Sequence, residues 1–576
     1  MCGENESKDL MKNMRQVVNE PQSFVRYECP LKQAYQINKL TQQILKNELL
    51  DKFAQQGETL VSYYLNVVPQ AVVDNMRNAK EEYLTQYQSV TNFFRANKTI
   101  DQNQAAVFID LCAWPHIENS KIDLDPTAMK VDKIAWAYRQ ADEKNQMMTR
   151  IYCIIFANKE ELKSYEDLME EAKKRDHRVL WKKLWLFAFS DLVGAWLPLF
   201  LPKGNIIKTE LEKFIREEKE KRNYSFVCIP HMAKVDLYKK SGHLGKYDAM
   251  LPTMTDHNGD EFVMKPMNCP HHFEIYNAQQ HSYRDLPYRV AENTSCYRNE
   301  KTGELHGLTR VKCLTQDDTH HFVRHDQIKE EIDMILKLME YVYNTFDFND
   351  FKVEISVRDP HNKQNYFGGD DLWTLSEQIL IDATEKRWVP YTIEEGEAAF
   401  YGPKIDIRVK DSIGRNRQLT TVQLDFNQPE NFNMTYIGED GTAHRPAVLH
   451  VAILGSVERF MGVMIEHFAW AFPVRLAPVQ ARIIPVADVF NDYADKLLQQ
   501  LKAQWIRAEC DDSTDSFAKK IRNGEMMKIP YLLIVGQQEQ DNHSVNVRSL
   551  RGKDQKEIKA DEFIAKIVEE YRTRAL

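Results

Sequence analysis

Between Cys296 and Phe322 the sequence reads CYRNEKTGELHGLTRVKCLTQDDTHHF, and no other stretch gathers so many groups capable of chemistry. Arg298 and Arg310 flank a turn-forming Lys301-Thr302-Gly303-Glu304, and Asp317, Asp318, His320 and His321 follow. Two guanidinium groups in one cleft suit a polyphosphate, because each presents a fixed fork of N–H donors and a permanent charge. The competing reading is a charged hairpin facing solvent, where such pairs contribute little. Positioning separates the two. β-Branched and apolar residues on either side of the turn predict two strands joined by a loop, which would project both arginines into one cleft.

Other reactive groups lie on both sides of this hairpin. Met267-Asn-Cys-Pro-His-His272 puts Cys269 beside two imidazoles, and His450-Val-Ala-Ile-Leu-Gly-Ser-Val-Glu-Arg459 leads into an apolar helix through Ala471. An arginine at the head of a buried helix needs an anionic or aromatic partner. Residues 398–404 and 421–426 read as strands carrying polar residues. Cys112 and His116, four apart after an apolar run from Phe108, are close enough to share a metal, although core packing explains such a pair equally simply.

The elements that must hold these groups are many. A chain of 576 residues has room for three or four domains, and shares of 43% hydrophobic and 28% charged residues describe a soluble, globular composition. The net charge of −9 argues against an indiscriminate nucleic-acid binder but leaves room for a local basic groove. Nine scattered cysteines with no CxxC pair point to a reducing compartment, and the polar start of the chain to the cytoplasm. The apolar run 184–201 is interrupted by Asp191, Gly194 and Pro198, so it reads as buried core rather than a membrane span. Amphipathic runs at 37–53 and 71–83 predict helices, 160–183 a charged helical connector, and 208–221 a helix followed by a strand at 224–229. From Leu476 short elements alternate: strand 480–486, helix 491–504, strand 505–509, helix 515–522, strands 531–535 and 545–549, helix 561–574. That pattern predicts a small α/β domain.

Neither GxxxxGK[ST] nor GxGxxG is present, so ATP, if bound, must be held by arginines rather than by a glycine-rich loop. With MNCPHH, YRNE, GELHGLTRV, TQDD, FYGPK, TVQLDF, ILGSVERF and LAPVQ in one order, the chain resembles the threonyl-tRNA synthetase family of the class II aminoacyl-tRNA synthetases. The resemblance implies an α+β and α/β multidomain protein: an antiparallel-sheet class II catalytic core and a C-terminal α/β anticodon-binding domain. The expected division is 1–150 as a truncated editing-like domain, 151–205 as a connector, 206–475 as the catalytic domain and 476–576 as the anticodon-binding domain. It further implies a homodimer acting on ATP, L-threonine and tRNA(Thr), with no membrane partner, one Zn2+ per subunit and Mg2+ with ATP. Cys269, His320 and His450 match the family's zinc ligands. Arg298 would bridge carboxylate and α-phosphate, Arg310 the γ-phosphate, and Arg459 would stack on adenine, with Glu300, Leu314 and Gln423 also at ATP. Asp318, Tyr401 and Gln316 would hold threonine, and Glu539 and Arg548 fit the anticodon pattern.

Departures from the family pattern are equally specific. Leu314 stands where a phenylalanine commonly stacks on adenine, Val451 where arginine is frequent, Thr420 where glycine is frequent, and Thr514 where asparagine is often found. Cys112-Ala-Trp-Pro-His116 resembles part of the family's serine-editing element, but editing also needs an upstream HxxxH, and the first 115 residues contain no histidine. An editing-inactive remnant is therefore expected, without the small N-terminal ubiquitin-like domain of longer relatives. Two other functions compete: a synthetase-like RNA-binding or regulatory protein that does not charge tRNA, and a zinc hydrolase using His271, His272 or His321 around an activated water.

Overall fold

The structure is a computed structural model. It describes residues 125–138 and 147–576 apart from 302, 388–389 and 412–413; before these it describes 23–30, 34–35, 50–51, 60–69, 88, 91–92, 94–96 and 104–112. The chain divides into two compact units, Met1–Glu170 and Glu171–Leu576. In the first, strands Ser23–Pro30, Leu60–Pro69 and Gln104–Cys112 form an antiparallel sheet in that order, and Met129–Tyr138 pairs with Met147–Ile155. The helix predicted at 71–83 and residues 113–116 of the Cys112–His116 element lie outside the described residues, as does all but 50–51 of the helix predicted at 37–53.

The second unit is built around an eight-stranded sheet. Its strands are β1 (Ser225–Phe226), β2 (Tyr288–Tyr297), β3 (Cys313–Val323), β4 (Phe351–Val357), β5 (Tyr391–Glu395), β6 (Lys404–Lys410), β7 (Asn416–Asp425) and β8 (Ala447–Ser456). Their spatial order is β5-β4-β6-β7-β8-β3-β2-β1, antiparallel except for the outer pairs β1 with β2 and β4 with β5. Helices α1 (Pro202–Glu220), α2 (Cys269–Asn277), α3 (Ile328–Thr345), α4 (Asp370–Glu385) and α5 (Val457–His467) accompany it. The apolar faces of α1, α3 and α5 merge with β6, β7 and β8 into one core, with Ile207, Leu211, Ile332, Ile335, Phe460 and Met464 at or near complete burial. The predicted hairpin is present as β2 and β3, joined in antiparallel register by the arginine-bearing loop.

β3 departs from ordinary strand patterning. It buries Asp317, Asp318, Thr319, His320 and His321 where apolar residues usually sit. Buried polar groups persist only with partners. Asp317 accepts from Lys219 Nζ of α1 at 3.1 Å and from the backbone N–H of Ile453 and Gly455 at 2.9 and 3.0 Å, and Lys219 also donates to Thr319 Oγ1 at 3.0 Å. His321, on the opposite face from His320, meets Glu331 of α3 at 2.9 Å.

Several expected boundaries move. Residues 398–403 form turns, so the strand starts only at Lys404, because Pro403 lacks a ladder donor. The strand expected at 224–229 shrinks to Ser225–Phe226. The connector splits at Asp176, whose carboxylate accepts from Arg178 N at 2.7 Å and starts a new helix, His177–Leu184. The apolar run 184–201 is only partly core: Leu186 and Phe187 are buried, but Gly194, at φ +119°, turns the tip outward and leaves Leu192, Val193 and Leu199 exposed. Among the described residues no helix is long and apolar enough to cross a membrane.

The C-terminal part forms a five-stranded sheet from β9 (Ala481–Pro485), β10 (Ala508–Cys510), β11 (Tyr531–Val535), β12 (Ser544–Ser549) and β13 (Gln555–Lys559), in the order β10-β9-β11-β12-β13. Helices α6 (Asn491–Ala503), α7 (Phe517–Met526) and α8 (Ala560–Thr573) complete it. The elements expected there are present; the short helix Gln537–Asn542 and β13 are additions, and β13, QKEIK, offers one apolar residue, the buried Ile558. Arg574 pairs with Glu217 at 2.8 Å and Arg507 with Glu210 at 2.9 Å, tying this domain to α1.

The Arg289–Glu331–His321 cluster gives a stability prediction. Burial disfavours the Glu331 carboxylate, yet hydrogen bonds from Arg289 and His321 outweigh it and hold the group down to about 2. A depressed carboxyl stabilises the fold fully above its unfolded value near 4.5 and loses that contribution as pH falls toward 2. Glu331→Gln should destabilise the chain by about 3 kcal/mol at neutral pH and flatten its acid limb between those values, as read by urea denaturation at a series of pH values. An unchanged acid limb in the variant would contradict this assignment.

Candidate active site and metal centre

The β2–β3 loop, α2 and the facing ends of β7 and β8 enclose a cleft of about 310 Å³. Its walls include Arg298, Arg310 and Arg459 with Glu300 and Leu314, and its floor Gln316, Asp318, Tyr401 and Gln423 with Cys269 and His450. The structure thus brings together the residues expected at ATP and threonine, and His320 lies buried beside them. Arg459, in the first turn of α5, donates from Nε to Thr309 O at 2.8 Å and from Nη1 to Gln418 O at 3.0 Å. Burial, together with the charges of Arg298, Arg310 and Arg417, pulls its guanidinium down to about 10. Cations gathered in one cleft favour an arriving polyanion, which would relieve their mutual repulsion. Arg298 donates to Pro266 O at 3.3 Å, and Arg310 is held by two carboxylates, Glu300 at 2.7 Å and Glu304 at 2.8 Å. The expected Glu300–adenine contact therefore competes with an internal ion pair.

Below the arginines the ligand atoms of Cys269, His320 and His450 all lie within 4.8 Å of one another, and all three residues are buried. Strand register explains the meeting: His320 of β3 stands directly opposite His450 of β8, which stands opposite Gln423 of β7. Cys269 arrives as the first residue of α2. Each imidazole is oriented from behind. His320 Nδ1 meets His272 Nδ1 at 2.7 Å and His450 Nε2 meets Asp425 Oδ2 at 3.0 Å. This leaves His320 Nε2 and His450 Nδ1, 3.0 Å apart, for a metal. Burial and the charge of Asp318 push the Cys269 thiol well up, and burial drives the His320 imidazole well down. Neutral imidazoles are the ligating form, and a dication supplies the charge that turns such a thiol into a thiolate. One sulfur and two nitrogens suit zinc, with coordination positions to spare. Asp318 sits alongside, its Oδ2 accepting from Asn268 Nδ2 at 2.9 Å, and the Tyr401 ring lies 5.2 Å from that of His450.

The orienting groups His272, Asp425 and Asn268 were not legible as site residues, although the second histidine of MNCPHH and the aspartate of TVQLDF stood within motifs already noted. His271, His272 and His321 do not converge on a common point: His321 faces Glu331 across the sheet and His272 backs His320. That removes the geometry a hydrolytic centre on those histidines requires. Glu539 caps its own helix by accepting from Gly536 N at 3.0 Å, and Arg548 of β12 pairs with Glu525 at 3.2 Å on the surface.

The sheet order, the arginine cleft and the appended C-terminal domain define a class II aminoacyl-tRNA synthetase. Residues 252–468 match the family described as tRNA synthetase class II core domain (G, H, P, S and T), and residues 480–570 match the anticodon binding domain family. The chain is 46% identical over 455 residues to the threonine–tRNA ligase of Porphyromonas gingivalis, covering 79% of this chain and 69% of that protein. It is 44% identical over 474 residues to that of Deinococcus deserti, covering 82% and 73%. Among solved structures it is similar to the RNA binding domain of threonyl-tRNA synthetase from Cryptosporidium parvum Iowa II, with TM-score 0.65, 34% identity and coverage of 68% of this chain and 98% of that one. The chain belongs to the threonine–tRNA ligase family.

The donor set predicts about one zinc per chain in the purified protein, lost on Cys269→Ala. His272→Ala should weaken zinc about 10–100-fold without abolishing it, because it removes only the group that orients His320. Metal analysis of dialysed protein and competition with a chromogenic chelator read both; full zinc in Cys269→Ala would show that the ligands lie elsewhere.

Proposed function

We infer that this chain activates L-threonine with ATP and transfers the threonyl group to tRNA(Thr). The observation that carries the reading is the adjacency of two sites joined by one hairpin: arginines in the β2–β3 loop, and, along β3, Asp318 and the His320 that meets Cys269 of α2 and His450 of β8. A cation-lined cleft alone fits many nucleotide enzymes; one that opens onto a metal centre fits ligation of a small amino acid to a nucleotide.

In the first step a threonine carboxylate oxygen attacks the α-phosphorus of ATP and pyrophosphate leaves. Both reactants are anions, so fixed cations matter most. Arg298 bridges the carboxylate and α-phosphate, Arg310 binds the γ-phosphate once it displaces Glu300 and Glu304, and Arg459 packs on adenine; Mg2+ arriving with ATP would share the phosphate charge. Gln423 and Glu300 complete the nucleotide contacts. Leu314 lacks a π face for adenine, which should weaken ATP by about 1 kcal/mol relative to an aromatic residue. In the second step a hydroxyl of the tRNA's terminal ribose attacks the activated carbonyl and AMP departs.

Cys269, His320 and His450 would hold zinc, which when bound would supply Lewis-acid character for selecting threonine. Asp318 accepts the hydroxyl proton in a hydrogen bond, and Tyr401 and Gln316 fix the amino end. A pocket built around that hydroxyl rejects valine by about 10⁴–10⁵, whereas serine lacks only a methyl, worth roughly 1–3 kcal/mol. The absence of histidine before His116 supports a remnant domain over 1–150 that does not edit. A connector over 151–205, a catalytic domain over 206–475 and an anticodon-binding domain over 476–576 follow in this reading, the last two supported by the matched segments 252–468 and 480–570, with Glu539 and Arg548 contacting tRNA(Thr). A cytoplasmic homodimer fits the cysteine usage and the exposed Leu192, Val193 and Leu199.

ATP–pyrophosphate exchange tests the reading across all amino acids. Threonine should drive exchange, a zinc chelator should suppress it, and Arg298→Ala should reduce it by about 10³-fold. Absence of exchange with every amino acid would favour a non-charging RNA-binding or regulatory protein. For editing, the chain should form seryl-tRNA that persists; rapid deacylation of supplied seryl-tRNA would sink the remnant reading.

A further inference from the structure

One buried imidazole outside both matched family segments touches the arginine loop from beneath. His177, the first residue of helix His177–Leu184, is only 1% exposed. Its Nε2 accepts from Leu308 N at 3.1 Å, and its Nδ1 lies 2.6 Å from Glu466 Oε1. A backbone N–H can only donate, so Nε2 must present its lone pair; the ring proton sits on Nδ1 and is donated to Glu466. Both nitrogens are thereby used, so Asp176, His177 and Glu466, close enough to suggest a second metal site, offer no imidazole lone pair for one.

The segment that His177 holds is a small clasp. His306 N donates to Arg310 O at 3.1 Å, Arg310 N to His306 O at 3.3 Å, and Thr309 N to His306 O at 3.0 Å. Gly307 sits inside it at φ +53°, and a Cβ there would stand 2.1 Å from His177 Nε2, so the loop can approach the imidazole only through glycine. Leu308 is fully buried in the main core. The clasp is also held from α5, the helix that carries Glu466: Thr309 O accepts from Arg459 Nε at 2.8 Å. Arg459 opens α5, and Glu466 lies roughly two turns further along it. Adjacent backbone groups of the clasp are thus pinned to α5 twice, directly through Arg459 and indirectly through His177. Arg310 is the residue that leaves the clasp toward the cleft.

We propose that His177, braced by Glu466, is a positioning residue that locks the 306–310 clasp so that Arg310 and Arg459 are preset for the polyphosphate and base of ATP. The proposal rests on the synthetase reading and makes the ATP half of the site depend on this relay, while the threonine half, carried by β3, β8 and α2, does not.

The test measures ATP and threonine affinity separately in the full-length zinc-loaded chain, by KM in pyrophosphate exchange and by calorimetric titration of each substrate. His177→Ala should weaken ATP by about tenfold or more, the scale of one lost buried hydrogen bond to a loop peptide, with threonine affinity and zinc content within about twofold of wild type. Gly307→Ala should weaken ATP strongly in the wild-type background and less in His177→Ala, because the second change removes the clash. Should His177→Ala not fold, Glu466→Gln carries the comparison, with an expected ATP loss of about threefold. ATP affinity unchanged in the variants, or parallel loss of both substrates, would overturn the proposal. Wild-type chain that shows no threonine-dependent exchange would instead overturn the reading beneath it.

Discussion

A strand buried on both faces that nonetheless carries aspartates, threonine and histidines is the constraint on which this structure turns. Each polar group of β3 must find a partner from another element or the strand could not sit in the core. Asp317 takes Lys219 of α1 and the peptides leading into α5; His321 takes Glu331 of α3; His320 takes His272 of α2. The partners therefore fix where α1, α2, α3 and β8 lie. Asp317 shows the strength of this requirement: burial raises its carboxyl, and Lys219 and the backbone donors work against that shift.

The same strand separates two kinds of chemistry. Toward its start the loop presents cations, and burial, joined by the charges of Arg298 and Arg310, depresses the guanidinium of Arg459 facing them. Further along, Cys269, His320 and His450 bring their ligand atoms within 4.8 Å of one another beside Asp318. An amino acid has a carboxylate at one end and an amino group and side chain at the other, so a cationic region next to a Cys-His-His centre matches its polarity. The C-terminal domain is tied by Arg574 and Arg507 to α1, the helix whose Lys219 braces β3. One helix thus touches both the domain matched to anticodon binding and the strand carrying the amino-acid site.

Much of the site was legible from the sequence because its residues cluster in short motifs. The hairpin, Arg298, Arg310 and Arg459 could be placed from local pattern alone. The metal centre could not: Cys269, His320 and His450 come from a helix start and two strands far apart in sequence, and only the β3–β8 register sets His320 against His450. No spacing rule anticipates a register between strands separated by more than a hundred residues, so resemblance alone supplied that trio. His177 escaped for a similar reason, since a histidine opening a charged helix has no local mark of the loop it supports. Departures from the expected fold are local. Pro403 delays a strand that its apolar neighbours predict to start earlier, and the charged QKEIK segment forms an edge strand, where packing demands few apolar residues.

The β3–β8 histidine pair and Cys269 form a buried cluster suited to a metal, and the proposed role of that metal is to contact threonine itself. X-ray absorption at the zinc edge of the loaded chain, recorded with and without threonine, measures this directly. The spectrum should show one sulfur and two imidazole nitrogens bound to the metal, a change in the remaining nitrogen and oxygen ligands when threonine is added, and a smaller change with valine. A shell of four protein ligands that is indifferent to threonine would contradict that role.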